Sequence, residues 1–144
     1  MPGFKFYHPI EVRYADLDPQ GHVNNAKYLT YIEQARVQYI YSLRLWAGGS
    51  FMDFGVILAD AQMSFKSPIT FGQAVQVGVR VSRIGNKSIT MEYCLEDTSN
   101  GKELATGSTV MVTYDYHTQM TIPVPETWRK VITEFEGLEN GAGI

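Results

Sequence analysis

The sequence predicts an α+β fold: one long central helix wrapped by a curved antiparallel sheet of about five strands, with a short C-terminal helix. Three observations carry this. From Asn24 to Gly49 the apolar residues recur three or four apart, most of the remaining chain alternates apolar and polar residues, and the alternating runs are separated by short turns containing Gly or Asn. The 144 residues are enough for one domain with a single core. Residues 1–136 read as that domain and 137–144 as a flexible tail.

From Phe4 to Tyr14 the apolar residues Phe4, Phe6, Ile10, Val12 and Tyr14 fall at even positions, as one buried face of a strand requires. Pro9 has no N–H to give a ladder, which puts this strand at an edge or a bulge within it. At Asn24 the period changes. Tyr28, Ile32, Ala35, Tyr39, Leu43 and Trp46 make one stripe on a helix of five or six turns. Asn24 or Asn25 suits its start, and Gly48-Gly49 its end.

After the helix the strand period returns. Gly55 to Lys66 reads as a strand. Val75, Val77, Val79 and Val81 alternate with polar residues or Gly, as do Ile89, Met91, Tyr93 and Leu95, and Lys102 to Tyr116 supplies another long strand. Turns at Phe71-Gly72-Gln73, Gly85-Asn86 and Asn100-Gly101 read as hairpin connections. Pro123 and Pro125 precede a terminal helix, Glu126 to Phe135. One helix covers little of such a sheet and leaves its edges open, so a homodimer or homotetramer is expected.

Composition narrows the function. A net charge of −3 lacks the concentrated basic face of a nucleic-acid binder. No apolar run approaches the roughly 18 residues of a membrane-spanning helix, and Met1 to His8 does not read as a signal peptide. The lone Cys94 excludes an intrachain disulfide and suits a reducing compartment, so a cytoplasmic protein is expected. His8, His22 and His117 are scattered and zinc spacing fails. There is no G-x-S-x-G elbow, phosphate loop or dinucleotide fingerprint, which disfavours a Ser-His-Asp hydrolase.

Chemistry concentrates at residues 14–36. Two Asp, a His, two Asn, a Pro and a Gly stand directly before the helix. Backbone N–H groups at a helix N-terminus can hold a polarised carbonyl oxygen. A nearby carboxylate can activate a water or attack directly. Gly21 permits close backbone approach. Asp16 reads as a loop cap, and Asp18, before Pro19, reads by itself as a turn former. His22 suits the orientation of water or substrate, and equally a structural hydrogen bond. Glu33 lies about 12 Å along the helix from Asn25, too far to pair with Asp18, and reads as an ion-pair partner of Arg13 or Arg36. Tyr28 is close enough to the loop to line a pocket.

Tyr14, Asp16, Asp18, Gly21, His22-Val23-Asn24-Asn25, Tyr28, Glu33 and Ala35-Arg36 together resemble the motif of the hotdog-fold acyl-CoA thioesterases, in the 4-hydroxybenzoyl-CoA thioesterase branch. The resemblance spans nearly the whole chain. It implies a cofactor-free enzyme that hydrolyses an acyl- or aroyl-CoA thioester, coenzyme A entering only as part of the substrate, at a site formed where two chains meet. It places the catalytic carboxylate at Asp18, as general base or nucleophile, and the oxyanion donor at the N–H of Asn25 or a neighbour. His22 stands beside them, and Gly21, Asn24 and Tyr28 fall in the substrate site.

For the phosphates of coenzyme A the resemblance points to Arg83, Lys87 and Ser88 around the Gly85-Asn86 hairpin, with Lys66 near the same edge. An ordinary solvated hairpin accounts equally well for Arg83 and Lys87. Gly72-Gln73 departs from the Gly-Asp common in the family. Two other functions fit the same residues: an acyl-CoA binding module without turnover, and a thioesterase acting on acyl carrier protein.

Overall fold

The computed structural model describes residues 3–138; residues 139–144, most of the expected tail, lie outside the described residues. In chain order the elements are β1 (Phe6–Ile10), α1 (Asn25–Ser42), β2 (Val56–Phe65), β3 (Val75–Ile84), β4 (Ser88–Asp97), β5 (Glu103–Asp115), β6 (Met120–Thr121) and α2 (Glu126–Glu136). Single turns of 3-10 helix occupy Tyr14–Asp16 and Phe51–Asp53. The strands form one antiparallel sheet in the order β1-β3-β4-β5-β2, with β6 paired to β5. Among the described residues no helix is long and apolar enough to cross a membrane.

The period-two runs hold in β3 and β4. Val75, Val77, Val79 and Val81 are buried, as are Ile89, Met91, Tyr93 and Leu95. β1 pairs antiparallel with β3, Phe6 opposite Val79 and Ile10 opposite Val75. It ends the strand order, where Pro9 costs no ladder bond on its outer side. The strand is shorter than its period suggests. After Ile10 the chain bends, because the Asp16 carboxylate draws in both the backbone N–H and the side chain of Arg13.

α1 begins as expected and ends early. The Asn24 side-chain oxygen accepts the Ala26 N–H at 2.9 Å and so caps the helix. At the other end Arg44 adopts a left-handed φ of 60°. Arg44 N–H donates to the Tyr41 carbonyl and Leu45 N–H to the Ile40 carbonyl, a Schellman closure that stops the helix at Ser42. Leu43 and Trp46 therefore leave the stripe. Trp46 stacks on Phe51 at 4.8 Å between ring centroids and meets Phe54 edge-on.

One turn has a different use from the one expected. Gly85-Asn86 and Asn100-Gly101 join neighbouring strands, but Phe71-Gly72-Gln73 does not, since β2 adjoins β5 and β3 adjoins β1 and β4. The segment between β2 and β3 is a crossover. Its Lys66 and Ser67 N–H groups donate to the Leu104 carbonyl, and Ile69 is fully buried.

The described chain divides into two compact units, and the division passes through α1 and the long strands. The first comprises, of the described residues, 3–39, Met63–Val79 and Tyr93–Gly107. Within it α1 lies against the sheet: Tyr39 meets Phe6 of β1 edge-on at 5.5 Å, Tyr28 meets Phe65 of β2 at 4.9 Å, and Arg36 donates to the Tyr93 hydroxyl of β4 at 3.2 Å. Tyr28, Ile32, Ala35 and Tyr39 are buried, as one apolar stripe should be.

The second unit comprises, of the described residues, Ile40–Gln62, Arg80–Glu92 and 108–138. Here α2 is held to the β3–β4 hairpin: Val81 N–H donates to the Glu136 carboxylate at 3.0 Å and Arg129 donates to the Gly85 carbonyl at 3.1 Å. Gly137, at φ 74°, closes the helix through its N–H to the Thr133 carbonyl.

Gly55 enters β2 so closely beside β5 that a Cβ would stand 2.7 Å from the Tyr114 carbonyl oxygen. Backbone cannot swing aside. Gly55→Ala is expected to cost about 1–3 kcal/mol, read as a lower urea midpoint at unchanged slope. An unshifted midpoint would show that the strand accommodates the methyl group.

Candidate functional site

The loop between β1 and α1 is folded into a small closed turn. Leu17 and Val23 form an isolated bridge, Asp18 N–H donates to the His22 carbonyl at 2.7 Å, and Gly21 N–H donates to the Asp18 carbonyl at 2.9 Å. Gly21 sits at φ 80°, a conformation side chains resist, which is why glycine occupies the turn. One Asp18 oxygen, Oδ1, accepts the N–H groups of Gln20 at 3.0 Å and His22 at 3.2 Å. Oδ2 receives no hydrogen bond from the described residues. Turn-forming and the supply of a free oxygen therefore coexist in one half-buried carboxylate.

Asp16, two residues earlier, has a different environment. It is fully buried. Its Oδ2 accepts the Arg13 N–H at 3.0 Å and the Tyr31 hydroxyl at 2.7 Å, and its Oδ1 accepts the Arg13 guanidinium at 3.0 Å. Burial pushes this carboxyl up, but the hydrogen bonds from Arg13 and Tyr31, with the Arg13 charge, outweigh it and hold the group below the usual aspartate range. Its main-chain oxygen accepts the Asn24 N–H at 2.8 Å.

The loop also docks on the crossover: Val23 N–H donates to the Ile69 carbonyl at 2.8 Å and His22 bridges Thr70. At the helix start, the Asn24 side-chain oxygen is committed to the cap. The Asn25 N–H meets no acceptor among the described residues, and both asparagines are exposed. The structural bonds of His22 come from its backbone; its imidazole is exposed and makes no hydrogen bond with the described residues. Tyr28 is buried, and its phenol is raised first by that burial and also by the Asp18 charge, against a lowering hydrogen bond at Ile69.

Asp18, Gly21, His22, Asn24, Asn25 and Tyr28 thus belong to one unit. Lys66 belongs to it as well, but its ammonium pairs with Glu103 at 2.6 Å. Arg83, Lys87 and Ser88 fall in the second unit, where Lys87 donates to the Thr121 hydroxyl at 3.4 Å. Glu33 lies 3.9 Å from Arg36 and takes the ion-pair role expected of it. A cleft of about 270 Å³ in the second unit, lined in part by Leu45, Met52, Trp128 and the Asp53–His117 pair, contains none of these residues. The described residues include no cluster of three or more His, Cys, Asp or Glu suited to a metal ion.

The sequence reading missed Tyr31 as a partner of the loop, and Ile69 and Thr70 as its dock. Tyr31 lies one helical turn beyond Tyr28, on the side that faces back toward the loop, a placement that could have singled it out. Ile69 and Thr70 are brought in by the crossover alone.

Comparison with known proteins gives a consistent set. Residues 12–132 match the family described as the thioesterase-like superfamily. A thioesterase from Thermus thermophilus, crystallised with coenzyme A and Zn, is 34% identical and superposes with a TM-score of 0.83, covering 96% of this chain and 100% of that one. A predicted thioesterase from Bacillus stearothermophilus is 25% identical at a TM-score of 0.82, covering 90% and 95%. The uncharacterized protein YsmA of Bacillus subtilis strain 168 is 27% identical over 109 residues, 76% of this chain and 72% of that one.

The lowered Asp16 carboxyl makes stability depend on pH. Because its folded value lies below its unfolded one, the stabilisation is complete above the ordinary aspartate value of about 3.9 and is lost as pH falls through the folded value. Asp16→Asn is expected to destabilise the fold at neutral pH by about 1–3 kcal/mol, because an amide cannot accept all the hydrogen bonds that the buried carboxylate accepts, and to flatten the acid limb of urea midpoint against pH. Parallel acid limbs in the two proteins would contradict this.

Proposed function

Since the chain belongs to the thioesterase-like superfamily and is a hotdog-fold thioester hydrolase, we propose that it hydrolyses acyl- or aroyl-CoA thioesters to the free acid and coenzyme A, with Asp18 as the reacting carboxylate. One observation carries this: among the described residues Asp18 spends one oxygen on holding its turn and keeps the other free, on a loop that leads directly to an Asn25 N–H with no acceptor there.

In the general-base route Asp18 Oδ2 takes a proton from water as that water attacks the thioester carbonyl. The oxygen becomes negative, and the Asn25 N–H, at the favourable end of the α1 dipole, stabilises it. Collapse expels the coenzyme A thiolate, which receives the proton. In the nucleophilic route Oδ2 attacks the carbonyl, thiolate leaves, and water hydrolyses the mixed anhydride. Both routes use the same two groups.

His22, with its ring exposed beside the turn and unbonded among the described residues, orients water or the sulfur. Gly21 leaves the approach to Asp18 open, the Asn24 amide N–H groups remain for substrate because only its oxygen is used in the cap, and Tyr28 forms a pocket wall. Arg83, Lys87 and Ser88 hold the phosphates. Lys66 is a further candidate for an anion, and its ammonium is paired with Glu103. Coenzyme A is part of the substrate here and not a resident cofactor. Its presence in the Thermus thermophilus relative supports it over acyl carrier protein as the acyl donor.

The active form is a homodimer or homotetramer, with the site completed where two chains meet. β2 ends the strand order and is exposed along most of its ten residues, including Leu58 at 49% and Phe65 at 50%. An apolar edge of this length, left bare, invites pairing, and a second copy covers it. The only thiol, Cys94, is buried and free; burial first, then the neighbouring Glu103 and Glu96, push it up to about 12. An inert thiol fits a cytoplasmic location.

A thiol-release assay over a panel of acyl- and aroyl-CoAs tests the reaction. Asp18→Asn keeps the Oδ1 acceptor and hence the turn, and is expected to lower kcat by about a hundredfold or more at unchanged Tm. Tight acyl-CoA binding by the wild type without turnover would identify a binding module, and turnover only of carrier-bound thioesters would replace coenzyme A as the donor. Light scattering is expected to give a dimer or tetramer, and Leu58→Asp to give a smaller species; a monomeric wild type would refute the assembly.

A further inference from the structure

We propose that Tyr31 is a positioning residue for this reaction: its buried hydroxyl, acting through Asp16, fixes the placement of Asp18 relative to the start of α1. The inference rests on the functional reading above. Tyr31 is 5% exposed and lies on α1 six residues beyond Asn25. It donates at 2.7 Å to Asp16, itself fully buried.

Asp16 is the knot of the loop. Its carboxylate holds the Arg13 end and its main-chain oxygen holds the Asn24 end. With the helix from Asn25 to Tyr31, these bonds close a ring: helix, Tyr31 hydroxyl, Asp16, Asn24, helix. Asp18 is only two residues outside that ring. Its own bonds run to Gln20, Gly21 and His22 and shape the turn without fixing it to the helix. The attacking group and the oxyanion donor are therefore kept in register by Tyr31 on one side of the ring and by the Asn24–Asp16 bond on the other. Loss of the hydroxyl opens the ring. A displacement of about 1 Å between reacting groups can cost up to a hundredfold in rate, so even partial loosening should register in turnover.

Tyr31 suits this role because it remains a donor. Burial, followed by the Asp16 hydrogen bond and charge, raises its phenol well above the ordinary value, so it stays protonated while Asp16 stays ionised. A merely structural hydroxyl would lower Tm and leave kcat of the folded enzyme unchanged.

The test is Tyr31→Phe in the full chain, which removes one oxygen and adds nothing. The expected result is a fall in kcat of about tenfold, KM within about twofold, and a retained folded state by circular dichroism. Combined with Asp18→Asn, the same change should alter the residual turnover by less than about twofold, because no carboxylate is left to place. Wild-type kcat in Tyr31→Phe, or the same tenfold loss in both backgrounds, would overturn the inference. Arg13→Gln loosens the same carboxylate from the solvent side, where Arg13 is 61% exposed, and guards against a Tyr31→Phe protein that does not fold. It should lower kcat about threefold at unchanged KM; wild-type kcat there as well would overturn the proposal. An active Asp18→Asn removes the functional reading and this inference with it, whereas an inactive Asp18→Asn beside a fully active Tyr31→Phe removes this inference alone.

Discussion

A buried carboxylate is expensive, and the geometry of the loop depends on how this one is satisfied. Asp16 has left water completely. Such a group is tolerated only where charge and donors replace its hydration. Arg13 supplies the charge and two donors, and Tyr31 a third. With both oxygens committed and the backbone oxygen bonded to Asn24, Asp16 has one permissible arrangement, and the chain around it is fixed at both ends of the turn. Any partial break leaves a buried charge short of donors, which penalises alternative loop conformations.

That constraint separates the roles of two chemically identical residues. Asp16 and Asp18 differ in surroundings alone. Asp16 is buried and saturated, so its carboxyl is held low and its oxygens are unavailable to a substrate. Asp18 is half-buried, and its Oδ2 accepts no hydrogen bond among the described residues. Environment alone can set two carboxylates of one site to different states. A loop with two half-satisfied aspartates would do neither well: the turn would wander, and the free oxygen would find local donors. The saturated residue makes the unsaturated one affordable.

How much of this is legible in the sequence follows from the range of each interaction. The buried stripe Tyr28, Ile32, Ala35 and Tyr39 and the valines of β3 follow from periods of 3.6 and 2, which are local properties. The Asn24 cap is local too. The end of α1 is not, because Arg44 takes the left-handed conformation usually given to Gly, and no residue type announces it. The use of Phe71-Gly72-Gln73 is hidden for a related reason: turn chemistry says that the chain reverses, whereas the strand order decides what it reverses onto. Asp16 could be read as a cap, but its partner Tyr31 is fifteen positions away and joins it only after the loop has folded back on the helix. Within the site, the residue types and the capping role of Asp16 were legible, and the long-range partner that completes the cap was not.

Charge pairing sharpens the question of where an anionic substrate would be held on a chain with net charge −3. Screening confines surface electrostatics to about 8–10 Å, so local balance matters more than the total. Several cations are already committed: Lys66 to Glu103, Arg80 to Glu92, Arg129 to Glu126 and Arg13 to Asp16. A phosphate arriving at one of these must displace a carboxylate and gains only the difference. Around the β3–β4 hairpin, Arg83 and Lys87 have no carboxylate within ion-pair distance among the described residues, and their charge is available in full. By the same reasoning the two basic groups that motif likeness alone would treat together, Lys66 and Lys87, are unequal. Neutralising Glu103 would free the Lys66 charge, whereas Lys87 has no carboxylate to release among the described residues.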